Sequence, residues 1–197
     1  PDDLPPDELT MEKAKELFLE GAAAAEGQRW QEASNLFLRS YELSHRESAL
    51  LNYAVSLKEL SRFVEARDAF DKLLREHQPP PEMAEKARVM RDEAAGKVAV
   101  RDLRGMDRDV THEILVNGVA VPDEQQRPMR VDENPGPLRL RVIMPDSDEV
   151  FSWEGQAAAG ERVLVDVQFE ARDTSSIFES PLFWIVTGAV VVAGAAV

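Results

Sequence analysis

The sequence predicts a multidomain chain, α first and β second. Helical hairpins with five helices come first, then a small antiparallel β-sandwich, then a C-terminal transmembrane helix. Three observations predict this order. Residues 8–96 carry helical periodicity with almost no alternation. Residues 97–170 change to short, β-branched, alternating runs, and residues 181–197 hold no charge at all. The period of the apolar pattern is the primary signal for each element type, and 197 residues are enough for one ordinary domain or two small ones.

The first ten residues, PDDLPPDELT, carry four acids, no base and three prolines. Such a stretch has little apolar surface to bury, so residues 1–10 are expected to be a disordered acidic lead-in. The start at Pro1 is expected to be a processed one. Over the whole chain, 37 acidic residues outnumber 23 basic ones, for a net charge of -14. That argues against a nucleic-acid footprint, which needs a basic face to neutralise phosphates. It argues equally against docking on anionic lipid through a polybasic patch. A hydrophobic fraction of 44% argues against general disorder. With no cysteine, disulfides, thiolate nucleophiles and cysteine-based metal sites are excluded, and the composition fits an oxidising compartment.

Residues 11–96 repeat internally. Leu17, Gly21, Ala24, Trp30, Ala33, Phe37 and Ser40 match Leu50, Ala54, Leu57, Phe63, Ala66, Phe70 and Leu73, every pair at one constant offset. Small residues at 21/54 and 33/66 would let two helices approach closely, and large ones at 17/50 and 37/70 would fill the space between layers. Gly27 and the Gln-Arg pair after it fit a tight turn between helices. Ser44 followed by Glu47 predicts a capping box for a helix starting near His45. The Pro79–Pro81 run ends one helix and can open the next, since proline is tolerated in a first turn. Residues 82–95 then form a fifth, capping helix. A generic helical bundle is the alternative.

This pattern, a period near 34 with spaced small and aromatic residues, resembles the tetratricopeptide repeat family over roughly residues 11–96. The resemblance implies a stack of helical hairpins whose first helices line a groove for a peptide or helix from a protein partner. Carried over by position, the groove would be lined by Lys15, Phe18 and Ala22 in the first repeat and by Leu51, Asn52, Val55 and Lys58 in the second. Asn52 falls where clamp-type members bond a ligand backbone; the alternative is a bond within the stack. The paired basic residues of a carboxylate clamp are not evident. Two repeats and a cap are few for independent stability, so the stack is expected to lean on the next domain, on copies of itself or on a partner.

In residues 97–170, runs such as KVAVRDL, HEILVNG, LRLRVIM, EVFSWEG and RVLVDVQF alternate with period two. Asn117-Gly118 is the strongest hairpin signal in the chain. Glu133–Pro137 and Ala159–Glu161 supply two more turns. In the last run Val163, Val165, Val167 and Phe169 fall on one face. Several short strands at close spacing indicate a sandwich or barrel. Val116-Asn117-Gly118, Asn134–Pro137 and Ala159–Glu161 make this region similar to PEGA-type β-domains, although the segment before the hairpin reads Arg108–Thr111 rather than the naming tetrapeptide. An immunoglobulin-like domain of another family is the alternative. Of the net charge, -8 falls in residues 111–180 and -2 in residues 11–110, so a basic partner surface would suit the β-domain.

Residues 171–180 read as a linker. Residues 181–197, PLFWIVTGAVVVAGAAV, are expected to form a transmembrane helix, with Phe183 and Trp184 at the interface. A helix of this length covers about 25 Å of a roughly 30 Å core, so the span is expected to continue beyond Val197. A buried core helix or strand is the alternative. The small residues Gly188, Ala189, Ala193 and Gly194 suit close packing against other spans. The flank at 170–180 holds three acids and one base, which places residues 1–180 on the non-cytoplasmic side. Repeats, β-domain and span in this order resemble exported envelope proteins of myxobacterial type. The resemblance implies inner-membrane localisation with residues 1–180 periplasmic.

No catalytic constellation stands out. His45, His77 and His112 lie far apart in different predicted elements, and no phosphate loop or hydrolase motif occurs. Asp146, Asp148 and Glu149 lack the loop length and glycine of an EF-hand and read as a solvated turn. We therefore expect no cofactor, no metal and no enzymatic activity. The expected function is binding of a protein partner by a membrane-anchored scaffold of the bacterial cell envelope; membership of a larger membrane complex is the first alternative and an envelope enzyme the last.

Overall fold

The computed structural model of the chain describes residues 8–107, 110, 112–122, 129–144 and 149–171, with backbone alone at 170 and 171. The chain divides into two compact units, the division falling between Val98 and Ala99. The first is all-helical. It comprises α1 (Glu8–Glu26), α2 (Trp30–Ser44), α3 (Glu47–Glu59), α4 (Phe63–Glu76) and α5 (Pro81–Ala95), each packed on the next.

The repetition in the sequence is a repetition of environments. Leu17, Gly21, Ala24, Ala33, Phe37 and Ser40 are buried, and so are Leu50, Ala54, Leu57, Ala66, Phe70 and Leu73. Trp30 and Phe63 are both half-buried. Gly21 marks a close approach, since a Cβ there would lie 3.0 Å from two ring carbons of Phe37. Where the repeats differ, a hydrogen bond compensates: buried Ser40, the counterpart of Leu73, donates from Oγ to the Ala14 carbonyl at 2.8 Å. A buried hydroxyl without that partner would carry a desolvation penalty.

The turns repeat as faithfully as the core. Gln28 (φ 56°) and Ser61 (φ 60°) occupy equivalent positions of the two repeats, and both are left-handed. Each begins a double closure of the preceding helix. Arg29 N–H donates to the Ala24 carbonyl and Arg62 N–H to that of Leu57, while Gln28 and Ser61 N–H donate to Ala25 and Lys58. This is the Schellman arrangement, here without glycine. Arg29 pairs with Glu32 (2.7 Å) and Arg62 with Glu65 (3.0 Å), at the same positions of the two repeats.

The expected capping box does not form. Ser44 ends α2, its Oγ donating to the Ser40 carbonyl (2.7 Å) and accepting from Arg46 N–H (3.3 Å). His45 takes the left-handed position after α2, and α3 begins only at Glu47, with no side-chain cap. Ser44 is committed to its own helix, where a serine can bond back to the carbonyl four residues earlier. Pro81 does open α5 as its first residue.

The second unit contains β1 (Ala99–Arg104), β2 (Glu113–Val116), β3 (Val119–Ala120), β4 (Arg130–Glu133), β5 (Gly136–Ile143), β6 (Glu149–Ala157), β7 (Arg162–Asp166) and β8 (Glu170–Ala171). They form a three-stranded sheet, β4-β1-β7, and a five-stranded sheet, β3-β2-β5-β6-β8. Leu103, Val131, Val163 and Val165 of the first meet Ile114, Leu140, Val142 and Phe151 of the second in one core, so the unit is a sandwich.

The sandwich is not wholly antiparallel, contrary to expectation. β1 and β7 pair in parallel, Val100 beside Arg162 through Arg104 beside Asp166. The physical reason is connectivity. The chain between β1 and β7 passes through the other sheet, and a long crossover permits a parallel pair where a tight hairpin cannot. The β2–β3 hairpin forms at Asn117-Gly118 (φ 50° and 84°). The Asn117 side chain pins that turn to β5, accepting from Arg139 N–H at 2.9 Å and donating to the Pro137 carbonyl at 3.3 Å.

Among the described residues no helix is long and apolar enough to cross a membrane. Residues 172–180 of the expected linker and the whole expected span, with Gly188, Ala189, Ala193 and Gly194, lie outside the described residues, as do Asp146 and Asp148.

Candidate functional site: the first-helix face of the repeats

The seven predicted groove residues sit on α1 and α3. Helical spacing puts Lys15, Phe18 and Ala22 on one face of α1, and Leu51, Asn52, Val55 and Lys58 on one face of α3. Lys15 is exposed; Phe18 and Ala22 are half-buried. Phe18 packs edge to face on Phe37, with centroids 5.4 Å apart.

On α3 the face is less open. Leu51 is 8% exposed and belongs to the hydrophobic core. Val55 packs against that core while remaining half-buried. Asn52 donates from Nδ2 to the Ser48 carbonyl of its own helix at 2.9 Å. Lys58 reaches across to α5, its Nζ 2.6 Å from Glu93 Oε2. The structure therefore leaves Lys15 exposed and Phe18, Ala22 and Val55 half-buried, commits Leu51 to the core, and ties Asn52 and Lys58 to partners within the unit. Tyr53, also on α3, bridges the two helical clusters. Burial pushes its phenol pKa upward, with Arg62 acting against and Glu65 and Glu42 adding to the rise.

Leu19 is a member of this face outside the seven predicted residues. It is 59% exposed and shares the face of Lys15 and Ala22. The signal for it is in the sequence: Leu19 is the first-repeat counterpart of Asn52, so the register that places Asn52 places it too. The same register extends to α5, where Ala84, Glu85 and Arg88 correspond to Leu51, Asn52 and Val55. The face thus runs from apolar on α1 (Phe18, Leu19, Ala22) to charged on α5 (Glu85, Arg88). Among the described residues, no group of three or more potential metal ligands is present.

Tandem helical hairpins in a constant register, followed by a two-sheet sandwich, define the architectural class. No family model matches the chain, and no curated protein matches it. Among solved structures, the chain is similar to one titled "Arabidopsis OM64 TPR domain". Identity is 24%, the match covers 43% of this chain and 68% of that one, and the TM-score is 0.37.

Proposed function

We propose that this chain is a non-enzymatic, membrane-anchored interaction protein of the bacterial cell envelope. It binds a protein partner through a tetratricopeptide-type face on α1 and α3. The observation that carries this reading is the exposed Leu19, flanked by half-buried Phe18 and Ala22, on the helix face that the repeat register assigns to ligand. Exposed apolar residues grouped on one face mark contact surfaces more often than isolated ones do. The sandwich, similar to PEGA-type domains, serves as spacer or second contact. The span at 181–197 fixes both units to the inner membrane from the periplasmic side. Anchoring makes partner binding nearly intramolecular and raises its effective concentration.

The test is affinity capture from detergent-extracted membranes with the full chain and with Leu19→Glu. A stoichiometric partner held by the parent chain and lost with Leu19→Glu supports the reading. A partner retained equally by both, or none with either, refutes it.

A second reading rests on the uncharged run at 181–197 and its small residues. In it the chain is a subunit of a larger membrane machine, packed through Gly188, Ala189, Ala193 and Gly194. Replacing Gly188 and Gly194 by Leu would then break the assembly. An unchanged mass for the intact detergent-extracted complex would reject that reading.

A further inference from the structure

The row of β1 side chains facing into the sandwich is Ala99, Arg101, Leu103, and its middle member is a cation with 0% exposure. Arg101 holds the two sheets together. Its Nη2 donates to the Gln156 carbonyl on β6 at 3.3 Å and to Glu161 Oε2 at 3.0 Å, and its Nη1 donates to the Val100 carbonyl at 3.2 Å. The Trp153 ring lies over the guanidinium at 5.6 Å. Glu161 sits in the β6–β7 turn, where the same Oε2 also accepts from Ala158 N–H at 3.1 Å. One carboxylate oxygen therefore closes the turn and grips the buried cation.

A second carboxyl lies on the same inward face. Glu133 on β4 stands opposite Ala99, beside the Arg101–Val131 pair, and is 7% exposed. Its Oε1 has no hydrogen-bond partner among the described residues, and neither has Arg101 Nε. A buried donor and a buried acceptor thus both lack partners on neighbouring inward positions, where each carries a desolvation penalty.

We propose that Arg101, Glu133 and Glu161 form a proton-operated latch. With Glu133 protonated, Arg101 stays on Glu161 and the β6–β7 turn is closed. With Glu133 ionised, the guanidinium swings towards Glu133, gives it Nε–H and withdraws Nη2 from Glu161, which lets go of the turn.

The surroundings suit this exchange. The inward positions of β5 (Leu138, Leu140, Val142) and β6 (Phe151, Trp153, Gly155, Ala157) carry no titratable group, and those of β7 are Val163 and Val165. Asp102, Asp132, Arg130 and Arg162 pair with one another on the opposite face of their sheet. His112 is buried against Phe169. Arg101 is thus the one buried arginine or lysine among the described residues. Burial pushes Glu133 up to about 7, with Arg101 lowering and Asp132 raising it. Glu161 keeps its side chain 34% exposed and can be released to water at little cost.

The experiment is an NMR titration of the full chain from about pH 5 to about pH 9, following the Ala158 amide and the Glu133 carboxyl carbon together. We expect one shared midpoint, and an Ala158 protection factor that falls about tenfold on the alkaline side. In Glu133→Gln the amide should stay protected throughout; in Glu161→Ala, which removes the acceptor oxygen, it should be unprotected throughout. An Ala158 amide that ignores the Glu133 titration overturns the latch. So does one that titrates with an unchanged midpoint in Glu133→Gln. Should that variant fail to fold, the coincidence of midpoints in the parent chain decides alone.

Discussion

Gly155 sits in β6 with the Trp153 indole folded across it, and a Cβ added there would lie 2.5 Å from Trp153 Cη2 and 2.7 Å from Cζ2. In an unobstructed strand, Gly→Ala removes unfolded-state entropy and stabilises by about 0.4–1 kcal/mol. Here both contacts lie in ring atoms that must move. Trp153 is half-buried, packs against Ala99, Leu138 and Ala157, and covers Arg101, so displacing it costs packing as well as relieving the clash. Overpacking of this kind typically costs about 1–3 kcal/mol. We therefore expect Gly155→Ala to destabilise the chain by about 1–2 kcal/mol net. Denaturant melts give the energy, and a red shift of tryptophan emission reports the exposed indole. A double-mutant cycle isolates the cause: with Trp153→Leu already present, Gly155→Ala should be neutral or slightly stabilising. A stabilising Gly155→Ala in the parent chain, or an equal penalty with and without the indole, would refute the reasoning.

Two further predictions concern backbone and charge. Gln28→Gly and Ser61→Gly relieve left-handed conformations (φ 56° and 60°), and each should stabilise the helical unit by a few tenths to about 1 kcal/mol in thermal melts, since the relief exceeds the added unfolded-state entropy. If either variant is destabilised, the Schellman assignment of that turn is wrong. Glu133 is raised to about 7 in the folded chain, so the native state holds the proton more tightly than the unfolded state does. Its contribution is complete below the unfolded value of 4.5 and is lost as pH rises through about 7. The sandwich should then be about 1–2 kcal/mol more stable near the acid end of that window than above it, after solvent screening is allowed for. Glu133→Gln should flatten the profile. A parent chain whose stability rises with pH over that range would contradict the sign.

The helical unit is legible because its information is local and stated twice. Phe37 and Phe70, or Ala33 and Ala66, are identical in type and occupy the same environment, so one alignment of the two repeats locates the core without any knowledge of the partner helix. The same register, read for outward positions, also locates Leu19. The cap at Ser44 escapes a local reading for a related reason. A serine three residues before a glutamate satisfies the capping pattern, but the pattern does not say to which helix the serine belongs. The Ser40 carbonyl is close enough to claim it.

The β unit is legible strand by strand and not in its pairing. Alternation identifies which residues of β7 face inward, and Val163 and Val165 do, but it carries no information on what lies beside the strand. β7 finds β1, far earlier in the chain, in parallel. The same nonlocality hides the latch. Arg101 in KVAVRDL looks like a solvated residue beside an alternating apolar face. Counting from Ala99 and Leu103 puts it on the inward side instead, and only three distant partners, Gln156, Glu161 and Trp153, make a buried cation tolerable there. A buried charge breaks the alternation rule at the cost of desolvation, and such breaks persist where hydrogen bonds or a neighbouring charge compensate. An arginine on the inward face of a short strand, with glutamates near the ends of two later strands, is therefore the sequence sign from which this pairing could be sought.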